Sequence, residues 1–189
     1  MALKFVQPPP SVLQTYQQSL LDFVGPHPPI AQLYHMPVGT LGLAELAAGA
    51  RLQNVVASGC RILAYWPDAT WTSCEMTNPT LYGNALFRNF MSGAPVEAAF
   101  KRIAEAVTLD AVRSGDYELH FLSIPGIYLE ALHLVSQAHA QASDIVLPLL
   151  SIDPQLGPDS VLDQTAFLTI ARPLAAARAS LTSADVLSS

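Results

Sequence analysis

The sequence predicts an α+β domain built on a mixed sheet of about five strands, with helices packed mainly on one face. Three observations carry this. A β-hairpin pattern occupies about 61–77, a strand–helix–strand (βαβ) pattern occupies about 117–150, and apolar residues from Val96 to Ala111 recur at the three-to-four spacing of an amphipathic helix.

Composition sets the frame. At 189 residues the chain suits one domain. A domain of this size buries roughly 70% of its unfolded surface and needs no disulfide or metal merely to fold. Apolar residues make up 51% and charged residues only 13%, the latter about half the usual share. Such a composition argues against disorder and for a surface partly covered by a second copy of the chain. The net charge is −6. With no basic stripe, the sequence argues against nucleic acid and against a polybasic membrane contact. No apolar run reaches the roughly 18 residues of a membrane span, and residues 1–10 lack the apolar core of a secretory signal. The expected location is therefore cytoplasmic, where Cys60 and Cys74 would be free thiols.

Along the chain, Pro8-Pro9-Pro10 and Pro26-His27-Pro28-Pro29 bracket a helix with Ser11 as N-cap, Gly25 as stop, and Leu13, Tyr16, Leu20, Phe23 and Val24 as its apolar set. Residues 1–37 read as a proline-rich arm laid over the body, 38–181 as the domain, and 182–189 as a frayed tail. One short helix falls within Thr40–Gly49, and Leu52–Ser58 has strand character. Strands Arg61–Trp66 and Trp71–Thr77 flank a Pro67-Asp68 turn. If those two residues form the turn, Cys60 faces Glu75 and Arg61 faces Cys74. Ala85–Met91 reads as a short helix, and Tyr82 to Phe90 as a loop over a pocket. Pro95 opens the long helix that Gly115 ends.

Tyr117–Ile124 alternates as a half-buried strand. A helix over about 127–139 follows, with Tyr128, Ala131, Leu132 and Val135 on its apolar face. Ile145–Leu150 then reads as a buried central strand. Ser160 with Asp163 fits a capping box for a helix through Ala171, which Pro173 should kink or break.

Four residues are candidates for acid–base or nucleophilic chemistry. Cys60 and Cys74 would be nucleophiles if a cation such as Arg61 lowered a thiol pKa. Glu118 and His120 share one face of a strand and could exchange protons. Glu130 and His133 form a Glu-x-x-His on the expected helix, the spacing of carboxylate-bridged metal bundles, but no second copy of that motif exists. Phosphate loops, nucleophile elbows and Cys-x-x-Cys pairs are absent, so no cofactor is implied. The reading that follows is a non-catalytic module that self-associates and binds a partner protein or a small apolar ligand. The alternative is a small enzyme using a cysteine thiol with the His/Glu pair. A further possibility offers Pro26-His27-Pro28-Pro29 to an aromatic groove.

Overall fold

A computed structural model describes residues 3–27, 29–68, 70–77, 86–138 and 143–186. The fold is α+β with one mixed sheet. The chain runs through helix α1 (Pro10–Val24), strand β1 (Gln32–Thr40), a short helix α2 (Leu43–Ala47), β2 (Val56–Tyr65), β3 (Trp71–Thr77) and β4 (Phe87–Ser92). Helices α3 (Ala94–Thr108) and α4 (Asp110–Ser114) follow, then β5 (Tyr117–Ile124), β6 (Leu129–Ser136), β7 (Ile145–Leu150), the two-residue β8 (Leu162–Asp163) and helix α5 (Gln164–Val186).

The sheet has eight strands in the order β4-β3-β2-β1-β5-β6-β7-β8. Every neighbouring pair is antiparallel except β1 and β5, which run parallel over Val38–Thr40. Each half is thus a four-stranded meander preceded by a helix. The two helices cover opposite faces. On the first face, α3 buries Val96, Phe100 and Ile103 against Met36, Leu63, Phe121 and Leu132. On the second, α1 buries Val12, Tyr16 and Leu20 over Cys60, Ile62, Cys74 and Met76. Helices α2 and α5 cover the other end of the second face, where Leu46, Phe167 and Ala171 meet Leu122, Ala131 and Val146.

Several expectations are corrected. The sheet has eight strands rather than about five, and helices lie on both faces. Residues 32–37, read as the end of an arm, belong to β1, a central strand. Pro37 is tolerated there beside a register shift at Val38/Gly39. The 182–189 tail overlaps the end of α5, which runs to Val186, while 187–189 lie outside the described residues. Helix α1 starts one residue before Ser11, with Pro10 in its first turn, and its buried set is Val12, Tyr16, Ser19 and Leu20, whereas Phe23 and Val24 are exposed.

The C-terminal βαβ unit is a meander. Residues 129–136 are a strand, because the 3₁₀ turn Pro125–Ile127 and Tyr128 in the left-handed region (φ 52°) reverse the chain at once. That leaves no length for a crossover. Strand β6 is buried on both faces, between α3 and α5, so its apolar residues do not alternate and their spacing imitates a helix. Residues 87–92 form the half-exposed edge strand β4 rather than part of a helix, and residues 82–85 of the expected pocket loop lie outside the described residues. Helix α5 is capped by Asp163, whose Oδ1 accepts from the Ala166 N–H at 2.8 Å, and it passes through Pro173 unbroken. The short α2 and the hairpin of β2 and β3 form as expected. Among the described residues no helix is long and apolar enough to cross a membrane.

Candidate functional site

Because α1 and the α2/α5 pair leave the middle of the second face uncovered, a groove of about 320 Å³ opens there. Pro37 and Gly39 of β1, His120 of β5 and His133 of β6 contribute to its floor. Leu52, Gln53, Val55 and Ala57 form one wall, and Ser136 and Asp144 close one end. The register explains the convergence. His120 lies directly opposite His133 in the β5–β6 ladder, and their ring centroids are 6.4 Å apart.

Each ring is held by a carboxylate. His120 Nε2 lies 2.5 Å from Glu118 Oε1, a partner two residues away on the same strand face. His133 Nε2 lies 3.0 Å from Asp144 Oδ2. Asp144 Oδ1 in turn accepts the Ser136 backbone N–H at 2.9 Å. A carboxylate accepts, so each Nε2 is the protonated nitrogen, and each ring in its neutral form keeps Nδ1 as an acceptor.

Electrostatics follow from this packing. Burial pushes His120 below the ordinary imidazole value, against the raising pull of Glu118. Burial also acts to raise Asp144, but the hydrogen bonds from His133 and Ser136 outweigh it, so its carboxyl sits below the usual range. His35 projects from the same face, two positions from Pro37. Its Nδ1 donates to the Val6 carbonyl at 3.1 Å, and its buried Nε2 has no hydrogen-bond partner among the described residues. Burial lowers the His35 pKa too.

The other candidates lie elsewhere. Cys60 and Cys74 are buried beneath α1, and burial pushes both thiols up to about 12. The hairpin register differs by one residue from the expected one. Arg61 faces Glu75, Ile62 faces Cys74 and Cys60 faces Met76. The cause is the turn, which closes at Trp66 N–H to Thr70 O with the Thr70 N–H capping Asp68. One extra residue carries Arg61 to the face opposite the thiols. There its guanidinium, 6% exposed, meets Glu75 at 2.8 Å and Glu130 at 3.1 Å, and stacks 3.7 Å over the Phe121 ring. Glu130 and His133 therefore share no helix face. They lie on opposite faces of β6, one with Arg61 and the other in the groove. Among the described residues no group of three or more His, Cys, Asp or Glu is placed to hold a metal ion.

His120, Glu118 and His133 are legible as candidates in the sequence, whereas Asp144 and Gln53 are not. Asp144 follows residues 139–142 and carries no local signal. Reading 129–136 as a strand would have placed His133 opposite His120. The chain matches no protein-family model, no curated protein and no solved structure.

Proposed function

We propose that this protein is a binding module whose ligand is a small molecule held in the groove of His120 and His133. The carrying observation is that both rings, each paired with a carboxylate, line one cavity whose remaining walls are mostly apolar. About 320 Å³ falls within the range of small-molecule sites. Buried polar pairs carry a desolvation cost, and apolar residues at these positions would serve the sheet equally well. A ligand that meets the rings supplies the reason for them. The thiols weigh against nucleophilic turnover, because a cysteine with a pKa of about 12 holds almost no thiolate at neutral pH.

Saturation-transfer NMR with a small-fragment mixture at pH 7.5 tests this, with Gly39→Ala as the control. A Cβ on Gly39 would overlap Val55 Cγ1 and drive that side chain into the groove. Fragments should bind the native protein and lose their signal in the variant. An absence of binders, or binders indifferent to Gly39→Ala in a folded variant, would sink the reading.

A second reading, self-association, rests on a separate observation. Leu21, Phe23 and Val24 at the end of α1 are 52%, 63% and 47% exposed, and Phe23 stacks on Phe87 of the outermost strand β4 at 4.6 Å. Antiparallel pairing of β4 with β4 of a second copy would extend the sheet and cover these side chains. Sedimentation should report a concentration-dependent dimer that Phe23→Ser weakens. A monomer at every concentration excludes it.

A further inference from the structure

We propose that the groove's ligand is a small organic cation, a primary ammonium carried on a short apolar body. This rests on the groove reading above and adds the ligand's charge and shape. Two carboxylates stand immediately behind the lining rings, Glu118 on His120 and Asp144 on His133. None of the chain's Lys or Arg residues lines the groove. Arg51, next to the Leu52–Gln53 wall, lines a different hollow with Gln164 and Arg172. Lys4, near Glu118 in the sheet, is engaged by Asp116. Among the described residues, no Lys or Arg therefore balances this carboxylate charge within the groove.

The polar atoms fit the same occupant. With Nε2 donating to a carboxylate, Nδ1 is the ring nitrogen each histidine leaves for a ligand, and a bare Nδ1 accepts. An ammonium supplies donors for these acceptors and the charge that Glu118 and Asp144 lack, whereas an anion meets two carboxylates. Apart from Gln53, which is engaged with Gln164, the rest of the wall and floor is mostly apolar, with Pro37, Leu52, Val55, Ala57 and Val135, which suits hydrocarbon. The cavity corresponds to roughly ten waters' worth of liquid volume, room for an amine of about that many heavy atoms.

The experiment is calorimetric titration of the full chain at pH 7.5. The probes are ethylammonium, butylammonium and 2-phenylethylammonium, with 2-phenylethanol and 3-phenylpropanoate as uncharged and anionic counterparts, and Zn²⁺ in a separate cell. At least one ammonium should bind, its uncharged counterpart at least tenfold more weakly, and the anion not at all. Glu118→Gln and Asp144→Asn should each weaken the ammonium at least fivefold. Glu118 is partly exposed, so its variant stays informative if the Asp144 variant is unstable. Equal binding of the alcohol or the anion overturns the cation and leaves the groove reading standing. Zn²⁺ binding with no amine binding overturns it in favour of a metal. Failure of all these probes overturns the cation, and failure of the fragment mixture as well removes the groove reading.

Discussion

Replacing Arg61 by Leu should destabilise the protein far more than its position on an ordinary strand suggests. The guanidinium is 6% exposed and bridges Glu75 and Glu130 at 2.8 and 3.1 Å while resting on Phe121. Removing one member of a buried ion pair costs about 3–5 kcal/mol, because the partner stays in low dielectric without its counter-charge. Two facts reduce that here. Glu130 is 35% exposed and regains water cheaply, and Glu75 keeps Arg88 at 3.4 Å. The expected loss is about 3 kcal/mol, which for a chain of this length lowers the melting temperature by roughly 6–12 °C. In a Glu75→Gln/Glu130→Gln background the same substitution should cost only about 1 kcal/mol, since no carboxylate is then stranded. Urea denaturation of the four proteins, at constant m-value, reads both numbers. A cost below about 1 kcal/mol in the native background, or equal costs in the two backgrounds, would refute the reasoning.

Further outcomes follow from the same structure. His35 and His120 have folded-state pKa values pushed below 6.5, so the unfolded chain binds more protons as the pH falls. Their contribution to stability is complete above about pH 6.5 and is lost as the pH drops through the folded pKa values, by at most about 1.4 kcal/mol per pH unit for each histidine. Asp144, also depressed, adds its own loss only below the usual carboxylate range. Urea midpoints between pH 8 and 5 should therefore fall on the acid side, and a flat profile would contradict this burial. Neither Cys60 nor Cys74 should react with a disulfide reagent in the folded protein at pH 8, and both should react in urea. Rapid labelling of the native chain would reopen a thiol mechanism.

The sequence carries some of this architecture openly and hides the rest for identifiable reasons. Strand β5 was legible because Glu118 and His120 alternate with Tyr117, Leu119 and Phe121, and helix α3 because Val96, Phe100 and Ile103 keep one phase. Strand β6 was not, since layers on both faces bury Leu129, Ala131, Leu132 and Leu134 together and erase the alternation. Strand β1 was masked by Pro37, which ordinarily argues against a central strand. The groove shared this fate. His120 and Glu118 are a local pair on one strand, but the spacing around His133 imitates a helix and its carboxylate, Asp144, lies 11 residues further along the chain. The one-residue difference at the β2–β3 turn moved Arg61 across the sheet. A candidate for thiol activation thereby became the centre of a buried ion-pair cluster.

The central claim is that the groove presents ring nitrogens as acceptors, each fixed by a carboxylate behind it. Long-range ¹H–¹⁵N correlation of the histidine side chains at pH 7.5 reads this directly. The geometry predicts a proton on Nε2 of both His120 and His133, toward Glu118 and Asp144, and His35 as the opposite tautomer, protonated at Nδ1 toward Val6. A proton on Nδ1 with a bare Nε2 in either groove ring would contradict it.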